Sequence, residues 1–276
     1  MKNWIHEIGS SGQEVRRLQS ALGNIVVDGS FGPKTEQALQ EYQSKNSLQV
    51  DGRSGPATRS TLEIDIYPGI DVSKWNTVSD WSTLKNSGLA EFCWIKATEG
   101  GDYMCQVFEK HAKAAASAGI PYGAYHFARP DLNDDPHREV RNFVKNCPIE
   151  KGRLRPVLDF EKAGDHSPDS IRAWVLEFLQ EFEAQSGVRP IIYTGGNMTK
   201  YHLNGDTTGI DDYILWHAYY SKKALKKGIK KDRLGGWKEW TVWQWTGSGE
   251  VPGHEGEIDR NWLVGGPSAL RKIKIE

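Results

Sequence analysis

Asp159 and Glu161 in "PVLDFE" are the residues of this chain best suited to chemistry. Read as a strand, the segment puts both on one face, because side chains two apart point the same way. Two carboxylates on one face repel, and burial drives one of them to keep its proton. Such a pair can protonate a leaving glycosidic oxygen while its ionised member steadies positive charge on a sugar ring. Three more acids sit in strand-like contexts: Asp71 in "GIDVS", Asp259 in "EIDRNW" and Glu99 in "IKATEG". Asp71 and Asp259 each follow an apolar Ile, which favours a site over a loop anchor, whereas Glu99 beside two glycines reads as a supporting group. Residues two apart on a strand have Cα atoms about 6.5 to 7 Å apart, at the border between retaining and inverting carboxylate spacings, so the spacing leaves the mechanism open.

Other polar groups carry weaker signals. Trp243 and Trp245 flank Gln244, so either the tryptophans or the glutamine faces inward; Gln244 is kept as a binding candidate. His126 in "YHF" reads as a core histidine, and no HExxH or similar ligand spacing occurs, so neither a metal nor another cofactor is expected.

These acids need a scaffold that brings distant segments to one place. From Tyr67 onward short apolar runs alternate with amphipathic stretches: "GIDVS", "FCWIKATEG", "YGAYHF", "PVLDFE", "PIIYTG", "ILWHAYY", "TVWQWTG" and "EIDRNW" read as strands. "CQVFEKHAKAAASAG" and "SIRAWVLEFLQEFEAQSG" read as helices ending on Gly. Strand and helix in alternation call for parallel strands with right-handed crossovers, and eight strands suggest closure. The expected fold class is α/β: an irregular, eight-stranded, TIM-like β/α barrel over residues 67–276, with helices mainly on its first half. Its acids would gather at the carboxyl ends of the strands.

Residues 1–66 say one phrase twice, "VDGSFGPKTEQAL" and "VDGRSGPATRSTL". Asp-Gly makes a turn, and Pro after Gly suits the first position of a helix. With Val15, Leu18 and Leu22 at helical spacing ahead of them, the segment reads as a small three-helix module. It holds seven basic and eight acidic residues, so any ligand would be held by shape and hydrogen bonds more than by charge.

The whole chain of 276 residues has a formal charge of -1, which argues against nucleic acid as a partner. No stretch suits a membrane span, and the start lacks the apolar run of a secretion signal. Eleven Trp and ten Tyr supply flat surfaces for sugar rings as well as core. Cys93, Cys105 and Cys147 form no CxxC pair and fit a reducing compartment. "SKKALKKGIKK" sets Lys222, Lys226 and Lys230 on one helical row, a solvated face or a weak contact for anionic envelope polymers.

The eight barrel motifs, in order from Tyr67 to about Trp262, resemble the glycoside hydrolase family 25 muramidases (Chalaropsis-type lysozymes). The doubled "DGxxGpxT" phrase after "VRRLQSAL" resembles the peptidoglycan-binding domain family, although "GNIVV" is a short link and Ser54 replaces Phe31 in the second copy. The first resemblance implies cleavage of the β-1,4 bond from N-acetylmuramic acid to N-acetylglucosamine. It implies Glu161 as general acid, Asp159 assisting the acetamido group or ring charge, and Asp71 and Asp259 completing the acidic floor. Tyr193, Trp216 and Tyr219 would shape sugar subsites. With no secretion signal at the start, the two-module arrangement best resembles a phage endolysin, expected to be held in the host cytoplasm until released to the wall or periplasm. A bacterial autolysin and a non-catalytic wall-binding protein are the alternatives. The longer DxxDxDxE signature of chitinases is missing.

Overall fold

A computed structural model describes residues 5–147 and 149–276, with the side chains of residues 226–227 and 266–268 outside that description. The N-terminal helices are α1 (Gln13–Leu22), α2 (Pro33–Lys45) and α3 (Pro56–Thr61), and Pro33 and Pro56 open theirs as the repeated phrase requires. Val15, Leu18, Phe31 and Leu39 form their small core. The repeat goes deeper than its turns. Gln19 donates to Asp28 Oδ1 at 2.8 Å and to the Ser30 carbonyl at 3.1 Å, and accepts from the Gly29 N–H at 2.8 Å. Gln43 does the same for the second copy, with Asp51 at 2.9 Å, the Arg53 carbonyl at 3.0 Å and Gly52 at 3.0 Å. Gly29 and Gly52 sit at φ 78° and 67°, a region costly for other residues. Asp and Gly of both copies therefore build clamped turns.

The strands are β1 (Ile66–Val72), β2 (Phe92–Glu99), β3 (Tyr103–Met104), β4 (Tyr122–Phe127), β5 (Val157–Asp159), β6 (Ile191–Gly195), β7 (Ile214–Ala218), β8 (Val242–Gly249) and β9 (Ile258–Val264). Eight of them close in the order β1-β9-β8-β7-β6-β5-β4-β2, with β1 pairing β2; β3, which no sequence pattern marks, only forms a short antiparallel pair on β2. Four helices, α4 (Trp81–Asn86), α5 (Phe108–Ser117), α6 (Pro136–Asn146) and α7 (Pro168–Ser186), cover the first half. After β6 comes only a π-helical turn, Met198–His202. The second half adds α8 (Lys222–Lys227) before β8 and α9 (Gly266–Lys272) after β9.

One strand of the closed ring runs against the others. β9 is antiparallel to both β1 and β8, because residues 250–257 are too few for a parallel crossover, which takes about a dozen or more. Asp259 thus stands at the start of its strand, and the reversed direction still brings it to the mouth where the other strands end.

Inside the barrel Phe92, Trp94, Trp216 and Leu263 fill the lower layer. Trp94 stacks on Trp216 with centroids 4.6 Å apart. A Cβ at Gly123 would lie 2.8 Å from the Trp94 indole, so the glycine makes room for that ring. The outer faces of the strands pack under the helices through residues such as Ile70, Leu158 and Ile192.

Two expectations need correction. The strand in "PVLDFE" stops at Asp159: the Phe160 N–H still bonds the Tyr193 carbonyl at 2.9 Å, but Glu161 has left the sheet and is exposed. The lysine row is also broken, because Gly228 turns to φ 80° and ends α8, leaving Lys230 off the helix. Lys222 is exposed on α8, and the Lys226 side chain lies outside the described residues.

Candidate active site

Asp71, near the end of β1, and Asp259 are opposite one another in the β1–β9 register. Asp159 ends β5, and Glu161 follows two residues later. All four line one cavity of about 590 Å³ at the barrel mouth, together with Glu99, Tyr193, Trp216 and Gln244. Tyr219 lines instead a neighbouring cavity of about 720 Å³, which it shares with the π-turn and with Asp232 and Arg233. Glu161, Tyr193 and Tyr220 belong to both, so the two spaces form one groove that meets at Glu161.

Each acid has a different setting. Asp71 is buried, and its Oδ2 accepts from Asn261 Nδ2 at 2.7 Å and from Gln244 Nε2 at 3.0 Å. Burial outweighs those bonds and pushes its carboxyl up to about 6. Asp259 is held at about 8, by burial first and then by the charges of Asp71 and Glu161; Asn76 offers it one bond of 3.4 Å. Asp159 is 8% exposed, its Oδ1 has no hydrogen-bond partner, and burial followed by Glu161 and Asp71 raises its carboxyl well above the usual range, against the pull of Lys96. Glu161 reaches into the groove from the rim, where its Oε1 lies 2.9 Å from the Tyr193 hydroxyl. The floor therefore favours protons on buried acids, and the exposed acid, Glu161, is the one most open to a substrate.

The sheet fixes the partners. Gln244 points inward and Trp243 and Trp245 outward, since Gln244 pairs in register with Asn261 on the inner face. Its Oε1 lies 2.7 Å from the Tyr193 hydroxyl and is also met by Tyr220. Trp216 is buried, donating to Asn261 Oδ1 at 2.8 Å, so it supports the floor more than it offers a face. Glu99 bridges two cations, Lys96 at 2.6 Å and Arg129 at 2.7 Å, all three on the cavity wall. His126 is a satisfied core residue, 2.7 Å from Thr98 Oγ1 and 2.8 Å from Glu139. Among the described residues no cluster of three or more His, Cys, Asp or Glu could hold a metal, and no described helix is long and apolar enough to cross a membrane.

Asn261, Tyr220 and Lys96 were not singled out from the sequence. Asn261 lies inside "EIDRNW", Tyr220 in "HAYY" and Lys96 in "IKATEG", so the motifs contained them, but an amide or a phenol declares no chemistry until its partner is known.

A closed barrel with carboxylates gathered at its mouth and tyrosines along the groove defines a glycoside hydrolase. Residues 70–254 match the glycosyl hydrolases family 25, and residues 11–62 match a peptidoglycan binding domain. The chain belongs to glycosyl hydrolase family 25. It is similar to lysozyme M1 of Streptomyces globisporus, with 30% identity over 253 residues that cover 87% of this chain and 78% of that protein. Among solved structures it is similar to the bacterial lysozyme from Streptomyces coelicolor, with a TM-score of 0.67 and 29% identity over 75% of this chain and 96% of that one. A family GH25 lysozyme from Aspergillus fumigatus gives a TM-score of 0.66 and 29% identity, covering 77% of this chain and all of that one (100%).

Proposed function

We propose that the protein is a muramidase that hydrolyses the β-1,4 bond between N-acetylmuramic acid and N-acetylglucosamine in peptidoglycan. One observation carries the residue roles: Glu161 is the acid common to both halves of the groove, with Asp71, Asp159 and Asp259 grouped on one side of it. A glycan strand lying along the groove has its scissile oxygen beside Glu161, which acts as general acid. The Tyr193 hydroxyl steers that carboxyl and, after proton transfer, donates to the carboxylate left behind. Asp159, which lines the same cavity, receives the acetamido N–H and orients the acetamido oxygen toward the anomeric carbon. Asp71, Asp259, Gln244 and Glu99 hold the floor and wall in shape; Tyr219 contacts sugar in the second cavity.

Purified peptidoglycan digested with the enzyme and reduced with borohydride should yield muramitol; glucosaminitol would overturn the bond assignment. The first-formed anomer, read by proton NMR, should keep its configuration if the acetamido oxygen is the nucleophile, and inversion excludes that step.

For cellular role we propose a phage endolysin, held in the host cytoplasm until the membrane is opened; the pairing of a wall-binding module with a lysozyme barrel supports a lytic task. Cytoplasmic expression should be tolerated until chloroform is added. Enzyme found in the medium of intact cells would favour an exported autolysin.

A further inference from the structure

The N-terminal module is bonded to the barrel. The first residue of α1 meets the loop that joins α8 to β8, and the Gln13 amide pairs with the Trp240 backbone in both directions. Its Nε2 donates to the Trp240 carbonyl at 2.6 Å and its Oε1 accepts from the Trp240 N–H at 2.7 Å. Arg17, one turn on, donates to the Val264 carbonyl at 3.1 Å and to the Trp240 carbonyl at 3.3 Å. Glycines allow the backbones to close up: a Cβ on Gly228 would lie 2.2 Å from the Ser11 carbonyl oxygen, and one on Gly12 would lie 2.9 Å from that of Ile229. A flexible tether needs none of these contacts.

The loop has a second face. Asp232, Arg233 and Gly235 line the 720 Å³ half of the groove. Beneath them the loop leans on the segment that follows β6, where a Cβ on Gly236 would lie 2.0 Å from Thr207 Oγ1 and one on Gly235 would lie 3.1 Å from the Thr199 side chain. Between Gly228 and Trp240 its regular structure is one 3-10 turn, Lys231–Arg233. A segment with so little internal bonding takes its shape from what grips it. Here Ile229, Leu234, Trp237 and Trp240 root it in the barrel core, the module grips one side and the π-turn region the other.

We infer that the module acts on glycan binding by holding residues 228–240 in the form that completes the groove, with Gln13 and Arg17 as positioning residues. This rests on reading the second cavity as part of the glycan groove. If the held form is fully populated in the intact chain and falls to about a tenth to a third without the clamp, apparent binding weakens by the inverse of that fraction, about threefold to tenfold. Chemistry at Glu161, which is carried by the segment after β5 and not by the loop, keeps its rate.

The test uses the full-length chain and the double variant Gln13→Ala, Arg17→Ala. Amide hydrogen exchange follows residues 228–240, steady-state kinetics follow cleavage of soluble, uncrosslinked glycan fragments, and co-sedimentation follows binding to insoluble wall. The expected result is faster exchange in the loop, KM raised about threefold to tenfold with kcat within about twofold, and unchanged sedimentation. Arg17→Ala alone, which keeps the Gln13–Trp240 pair, should show a smaller change of the same kind, and it carries the test if the double variant fails to fold. Unchanged exchange would overturn the inference, and so would faster exchange with unchanged KM. A wild-type chain that fails to cleave the fragments would instead count against the muramidase reading, while the exchange result still judges the clamp.

Discussion

Glu14→Gln should stabilise the chain at pH 8 and leave it nearly unchanged at pH 4. Glu14 is 1% exposed beneath Gly228, at the seam between module and barrel. Burial raises its carboxyl from the ordinary 4.5 to about 7, with Arg17 and the Trp240 indole pulling the other way. In the window between those values the folded chain keeps a proton that the unfolded chain releases. The stability this carboxyl contributes therefore falls as pH rises through 4.5 to 7 and is level above it. The gap amounts to about 3 kcal/mol. Glutamine carries no proton to lose, so the difference between variant and wild type should grow by about 3 kcal/mol from pH 4 to pH 8. Urea unfolding followed by tryptophan fluorescence measures it, and any fixed cost of the extra amide hydrogens drops out because it does not vary with pH. A difference that stays constant across the range would mean that Glu14 is already ionised or hydrated in the folded chain.

Three further outcomes are expected. Glu161→Gln should lower release of soluble fragments from purified wall by about 10² to 10⁴ with folding and sedimentation intact, and clearance at wild-type speed would refute the acid role. Gln43→Ala removes the clamp on the second Asp-Gly turn and should cost about 2 to 4 kcal/mol, read from the urea midpoint, together with wall binding; a loss below about 0.5 kcal/mol would show the turn to be self-supporting. Replacing Lys222, Lys226 and Lys230 by Gln should reduce lysis of whole envelopes and spare purified glycan, and an equal effect on both substrates removes the case for a polyanion contact.

Local pattern carried the barrel strands and the repeat, since alternation, Asp-Gly turns and Gly-Pro helix starts are written within a few residues of where they act. The break in the lysine row was equally local: Gly228 follows the helical run directly, and a glycine there is a stop signal. Other features depend on pairing across the chain. The inward turn of Gln244 follows from its register with Asn261, and the reach of Glu161 to the rim follows from where β5 loses its neighbours. Parity within "VWQWT" or "LDFE" holds neither fact. Docking of Gln13 on Trp240 was invisible for a similar reason, because a glutamine in the first turn of a helix is ordinary until a facing backbone is supplied.

The reversed strand β9 has a consequence for the order in which the enzyme comes into being. It lies between β1 and β8, so the first strand of the barrel finds its second neighbour only when the last strand arrives. Asp71 obtains both Asn261 and the opposing Asp259 from that late segment. A nascent chain leaving the ribosome can form the module, the early helices and the parallel strands, but not the closed ring or the crowded carboxylates, since ring closure joins segments at opposite ends of the barrel sequence. Lytic competence therefore waits for β9 and arrives with it. Ribosomes stalled short of Asp259 would hold chains that have no complete acid cluster, and a protease that clips between β8 and β9 would open the ring at the strand on which both the cavity floor and the closure depend.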